Sequence, residues 1–407
     1  MTLQQCSARN SDHPPAYDIV SPPPKYSPNP ACGEERAQQA PRARVSRPTG
    51  SYILTRGSVT IVLNDQADDT TEPVYSRLGK ITGAILIDSH DSVASIHVRL
   101  LGRLDYVTSD GGTSIQTVSR EATLWSRCTA VSGCPGDVPL SLAFPSSYTH
   151  GGQDHPLPPS YVFSPHGIPM MLVTSTYNLY VTVSYTRRNM SFIPKTKIVR
   201  IPLRYQPRTR PGQPIFHVPL FCGIKSSPEE WQQAICEVKQ KANFSLSPIN
   251  MNVLLPSTPI FGICDRIPIH IQLSGALQSL RRLLSDPNSP ANLEPPKVSL
   301  TRQVVVENGG SRTSRSFVIG EGKILSVPPT TSQLADADDS YDVLDWEGEV
   351  TVNCGATRTG GFTTAGVSVR DFIQITIRAP PNSPFLTTAK HIPVRIVTDS
   401  WQDAPNW

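Results

Sequence analysis

The chain has eight cysteines (Cys6, Cys32, Cys128, Cys134, Cys222, Cys236, Cys264 and Cys354), but no CxxC pair and no metal-ligand spacing among them. That excludes the common zinc and thioredoxin-like arrangements. Catalytic signatures are missing as well: there is no GxSxG elbow, no phosphate-cradling loop, no HExxH and no GxGxxG after a strand. No catalytic residue, metal site or cofactor is therefore assigned, and the expectation is a protein that is not an enzyme. Charged residues are sparse at 17%, and the net charge of +4 is too small to call for nucleic acid as a partner. Met1 to Pro30 has no apolar core, and no stretch reaches the ~20 apolar residues of a membrane span. A cytosolic, reduced protein is expected.

What the chain has in excess is proline, 40 residues, roughly twice the usual share of 5%. Two prolines open each of two short strings, Pro14-Pro15-Ala16-Tyr17 and Pro23-Pro24-Lys25-Tyr26, nine residues apart. Consecutive prolines hold φ near −65° and favour the polyproline II helix, so such a peptide is ordered before it docks. With three residues per turn, Pro14 and Tyr17 share a side, as do Pro23 and Tyr26. These are PPxY peptides, the type gripped by the aromatic groove of WW domains, which makes Pro14, Pro15, Tyr17, Pro23, Pro24 and Tyr26 the candidate partner-binding residues. Fully extended as polyproline II, the two copies lie about 28 Å apart, a spacing that suits tandem WW domains and avidity. Ser21-Pro22 and Ser27-Pro28 flank the second copy.

Residues 1–48 hold these motifs and few large apolar side chains, a composition that predicts a disordered Pro-rich tail. Near its end Arg42 and Arg44 precede Ser46, with Pro48 two places on. Phosphorylation of Ser46 would create an anion of the kind that 14-3-3 proteins read, so Ser46 with Arg42 is a candidate regulated site; a plain solvated linker fits the same residues.

From Tyr52 the pattern turns to short strands. Ser58–Leu63, Ile81–Ile87 and Ser95–Leu101 are rich in Val and Ile, with Ile96, Val98 and Leu100 predicted inward and His97 and Arg99 outward. Ser109-Asp110-Gly111-Gly112 closes a hairpin. Pro145–Ser160, which includes His150 and His155, reads as an exposed loop. Tyr177, Leu179, Val181, Val183 and Tyr185 share one face of the next strand, and Lys197–Tyr205 forms another. Gln206–Gln213 breaks the pattern as a Pro-rich hinge. Beyond it, Ser227-Pro228-Glu229-Glu230 has the form of a capping box, and Trp231, Ala234, Ile235 and Val238 follow at helical spacing, which predicts a helix. Leu277–Leu284 predicts a second, short one. Strands return at Ile267–Leu273, Lys297–Val306, Trp346–Cys354, Val367–Ile377 and His391–Val397. The fold class is therefore all-β, as two sandwiches over residues 49–205 and 214–400, joined by the 206–213 hinge and ending in a 401–407 tail.

Between Arg187 and Arg210 every charged residue is a cation. Arg187, Arg188, Lys195, Lys197 and Arg200 form a candidate patch for an acidic ligand, either acidic lipid or an acidic or phosphorylated cargo tail; a solvated outer face fits equally. Asp336, Asp338, Ser340 and Asp342 with Glu347 imitate a calcium loop, but Tyr341 stands where the sharp turn needs Gly, so the segment reads as an acidic surface loop.

Several strings resemble the arrestin family, in particular its α-arrestin branch of fungal arrestin-related trafficking adaptors. Gly79–Ile87 followed by Ala94–Gly102 is similar to the arrestin N-domain pattern, and Arg204–Pro211 to the exit from that domain. Asp265–Leu273, Leu344–Val350 and Val369–Ile373 resemble C-domain strands, so the likeness spans roughly residues 50 to 400. It implies two immunoglobulin-like sandwiches with no active site, a WW-domain HECT-type ubiquitin ligase recruited through PPxY peptides, and cytosolic segments of membrane transporters or receptors as cargo for ubiquitylation and endocytosis. Such a protein is cytoplasmic and works peripherally at the plasma membrane or endosomes. In that branch the motifs usually follow the second sandwich; here they precede the first. Two other readings stay open: a retromer-like scaffold without a ligase, and a β-sandwich hydrolase.

Overall fold

The computed structural model describes residues 48–68, 70–167, 170–186, 196–215, 226–284, 295–327, 341–353 and 355–401. Period-two alternation dominates them, and it produces strands. The first half contains β1 (Gly50–Arg56), β2 (Val59–Gln66), β3 (Val74–Tyr75), β4 (Lys80–Ile87), β5 (Val93–Thr108) and β6 (Gly111–Ser126). β7 (Asp137–Ala143), β8 (Ser147–His150), β9 (Gln153–Pro156), β10 (Tyr161–Phe163), β11 (Met171–Tyr185) and β12 (Thr196–Tyr205) follow. One sheet runs β1-β2-β4-β7 and another β3-β12-β11-β5-β6, with β10 also pairing with β11. Ile61 and Ile85 from the first sheet and Leu100 and Val181 from the second are fully buried in one core. The expected faces are present: Ile96, Val98 and Leu100 point inward, as do Tyr177, Leu179, Val181 and Val183.

The second half contains β13 (Trp231–Glu237), β14 (Asn250–Pro256), β15 (Ile260–Gly262), β16 (Ile267–Ala276) and the helix α1 (Leu277–Leu284). It continues with β17 (Lys297–Asn308), β18 (Ser311–Val327), β19 (Tyr341–Val352), β20 (Phe362–Thr364), β21 (Val367–Ile377) and β22 (Thr388–Val397). They join one ladder in the order β13-β14-β16-β19-β18-β17-β21-β22-β15, with β20 against β21. Val253 of β14 and Ile375 of β21 are far apart along that ladder yet lie in one core, so the ladder folds over on itself. Leu280 and Leu283 of α1 plug into the same core. The β17–β18 hairpin turns on Gly309 and Gly310, whose φ values of 56° and 85° are the left-handed pair that a two-residue hairpin requires.

Two expectations need correction. Residues 231–237 are not helical: a 3-10 turn at Pro228–Glu230 leads directly into β13, and the Ser227 side chain makes no cap hydrogen bond. β14 offers this segment a full antiparallel register from Trp231 to Glu237, and that pairing outweighs the local helical spacing. Pro145–Ser160 is not simply an exposed loop, because β8 and β9 form a hairpin in it and Tyr148 and Leu157 are buried. Gln206–Gln213 is fastened at several points: Gln206 N–H donates to the Tyr75 carbonyl, Thr209 N–H donates to Thr398 Oγ1 at 2.8 Å, and Arg208 forms a salt bridge with Asp399.

Candidate functional site

The two halves meet along a joint to which both cores contribute. Val304, Val306, Val367 and Val369, from β17 and β21, belong to the first core, and Phe317 packs against both cores. Hairpin tips touch at one end, where Thr113 Oγ1 donates to Asn308 Oδ1 at 2.9 Å and Ser311 Oγ donates to Asp110 Oδ2 at 2.7 Å. Rings lock the middle: Phe163 stacks on Phe317 with centroids 5.2 Å apart, and Tyr161 meets Phe362 edge-on at 5.3 Å. Beside them the Tyr148 hydroxyl bonds Thr364 Oγ1 at 2.6 Å and accepts from the Ala365 N–H at 3.3 Å. Thr364 in turn donates to the Pro156 carbonyl.

At the centre of the joint lies an ion pair. Arg302 of β17 faces Asp371 of β21 in register, and both are almost wholly buried. The guanidinium is bidentate, Nε to Oδ1 at 2.7 Å and Nη2 to Oδ2 at 3.0 Å. Nη1 donates to Thr357 Oγ1 and to the Thr359 carbonyl, while Asp371 Oδ2 accepts the Ile396 N–H. A fork with this many partners meets the geometric condition for burying two charges. The Tyr161 hydroxyl lies close by with no hydrogen-bond partner among the described residues. Burial, with a smaller contribution from Asp371, pushes its pKa up to about 12 against the opposing pull of Arg302. Burial likewise raises Tyr148, Tyr177 and Tyr205, so these hydroxyls stay protonated as neutral hydrogen-bonding groups. The arrangement suits cohesion between the halves.

The joint borders an open cleft of about 650 Å³, bounded by Arg77 and Pro156–Pro159 on one side and by Gly360–Thr363, Val369–Phe372 and Pro393–Arg395 on the other. A second hollow of about 470 Å³ lies where β10 and β12, both paired with β11, part from each other, and it shares Tyr205, Gln206 and Thr359 with the first.

Most residues singled out from the sequence fall elsewhere. Pro14, Pro15, Tyr17, Pro23, Pro24, Tyr26, Arg42, Ser46, Arg187, Arg188 and Lys195 lie outside the described residues, as do Asp336, Asp338 and Ser340. Of the basic run, Lys197 and Arg200 are described, and the structure does not bring them together. They are three positions apart on a strand, which places them on opposite faces. Lys197 Nζ donates to the Arg56 carbonyl at the β1–β2 turn, whereas Arg200 Nε donates to Asn178 Oδ1 at 2.8 Å on the outer face. His150 is exposed, and His155 packs against the Tyr148 ring.

The buried ion pair was missed, although a signal for it exists. Arg302 sits in phase with Val298, Leu300, Val304 and Val306, and Asp371 with Val367, Val369, Ile373 and Ile375. Opposite charges in the apolar phase of two strands predict that the two meet.

The sheets and their shared cores make this an all-β protein. No family model matches the chain, and no curated protein matches it.

Proposed function

We propose that the chain is an arrestin-like trafficking adaptor. Its N-terminal Pro14-Pro15-Ala16-Tyr17 and Pro23-Pro24-Lys25-Tyr26 peptides recruit a WW-domain HECT-type ubiquitin ligase, and its β-rich body engages cytosolic segments of membrane transporters or receptors. The observation that carries this reading is the pair of PPxY strings, read beside a body of two successive β halves. The halves are taken as two sandwiches of the arrestin type, each with its own core. A cemented joint supports the role, since a platform that keeps its shape presents cargo in a fixed orientation. The protein works in the cytoplasm and at the face of the plasma membrane or endosomes. Ser46, once phosphorylated, offers 14-3-3 proteins a switch on the same tail.

The test is co-precipitation of the full chain with a WW-domain HECT ligase. Tyr17→Ala together with Tyr26→Ala removes the aromatic anchor of both peptides and is expected to abolish capture. Undiminished capture by that double variant refutes the adaptor mechanism.

A further inference from the structure

The 650 Å³ cleft beside the joint has a charge pattern that protein groups leave uncompensated. β21 and β22 are antiparallel with Asp371 opposite Val394. Beyond that pair the strands take other partners, Val369 pairing with Phe362 and the Ile396 carbonyl accepting from the Gly361 N–H, and Arg370 and Arg395 follow where the register ends, both exposed on the wall of the cleft. Like charges gathered on one wall without counter-ions repel each other. Arg77, exposed after β3 in the first half, lines the same cleft from the opposite side. None of these three guanidiniums forms a salt bridge among the described residues; Arg370 Nε donates only to the Ser368 hydroxyl, at 2.9 Å. The carboxylate on the wall, Asp371, is already held by Arg302, and the fourth arginine there, Arg208, is held by Asp399.

We propose that this cleft binds a small organic polyanion, a molecule with two or more clustered anionic oxygens. Arg370 and Arg395 hold it from the second half and Arg77 from the first. Planar guanidinium forks suit phosphoryl and carboxylate oxygens alike, and an anion bound among the cleft arginines gains charge-assisted contacts while relieving their mutual repulsion. Pro158, Pro159 and Phe362 on the walls fit the carbon frame of such a molecule. Because the contacts come from both halves, binding tightens the joint. The site does not depend on ligase recruitment, so its failure leaves the adaptor reading standing, and the reverse holds too.

The test uses the full chain with pyrophosphate and with citrate as probes, and sorbitol and sodium chloride of matched ionic strength as controls. Isothermal titration calorimetry is expected to show saturable binding of at least one polyanion, with a rise in Tm that the controls do not give. Arg77→Gln, and Arg370→Gln with Arg395→Gln, are each expected to weaken binding about tenfold or more. Arg266→Gln, a partly paired exposed arginine elsewhere, leaves it unchanged. Should the double Gln variant fold poorly, Arg370→Lys with Arg395→Lys keeps the charge, loses the forks and is expected to weaken binding a few-fold. Binding of pyrophosphate alone identifies phosphoryl oxygens as the recognised chemistry, and binding of citrate alone identifies carboxylates. Absence of saturable binding by both probes, or equal affinity in wild type and the Arg77→Gln variant, overturns the proposal.

Discussion

Arg302 and Asp371 oppose each other across β17 and β21, and the structure surrounds their charges with further partners from the 357–359 segment and from β22. The pair sits where the two cores converge, so its integrity bears on both halves. Arg302→Met alone leaves a carboxylate buried without its counter-ion and is expected to cost about 3–5 kcal/mol, read as a lower urea midpoint. Combining it with Asp371→Leu removes both charges and should recover most of that loss. A single variant as stable as the wild type contradicts this account.

Tyr148 holds the β8–β9 hairpin to the second half through one hydroxyl. Tyr148→Phe removes the bonds to Thr364 and Ala365 and strands a buried N–H, for an expected cost of about 1–3 kcal/mol. Amide exchange should localise the effect: protection falls at Ala365 and in β8–β9, while the centre of β5 is unchanged. Uniform loss across both halves would mean that the hydroxyl does not act locally.

Gly366 turns between β20 and β21 with φ at +69°, and a Cβ there would stand 2.5 Å from the Tyr106 hydroxyl oxygen. Gly366→Ala therefore meets both backbone strain and a clash with the first half, and about 1–3 kcal/mol of destabilisation is expected. In a Tyr106→Phe background the clash is eased while the backbone strain persists. A coupling energy above about 0.5 kcal/mol in the double-mutant cycle identifies the contact across the joint; strict additivity assigns the cost to φ and to the Glu307 carbonyl, 3.0 Å from that Cβ.

Local periodicity carried the strand pattern: β5, β11 and β12 were legible because alternate positions are apolar and the opposite ones polar. It misled at Trp231–Val238, where a run that fits a helical face is also a passable edge strand. Only the long-range register with β14 decides between them, and that partner is not visible locally. The joint was illegible for a similar reason. Tyr148 and Thr364 are 216 residues apart, and nothing in Pro145–Ser160 signals that its tyrosine will meet a threonine from the other half. Simple strand parity, a rule available from the sequence, separates Lys197 from Arg200; Arg187, Arg188 and Lys195 of the same run lie outside the described residues. A linear run of cations becomes a surface only when its members share a face. The cleft cations Arg77, Arg370 and Arg395, by contrast, come from three separated segments that folding alone assembles.

Alkaline titration tests the buried tyrosines of the joint and first core. Tyr161 is raised to about 12 from an ordinary 10.0, chiefly by burial. Tyr75, Tyr148, Tyr177 and Tyr205 are raised too, each mainly by burial. The neutral form is the one the fold favours, so the unfolded chain loses these protons first. Their contribution to stability is therefore fully present below pH 10, declines above it, and is gone once the pH has passed the folded-state values. The slope is at most about 1.4 kcal/mol per pH unit for each tyrosine. Absorbance at 295 nm should show exposed tyrosines ionising near pH 10 and a second group ionising only at higher pH, together with loss of β circular dichroism. If all tyrosines titrate in a single step near pH 10 while the β signal persists, the hydroxyls at the joint are solvated and the burial argument for its cohesion fails.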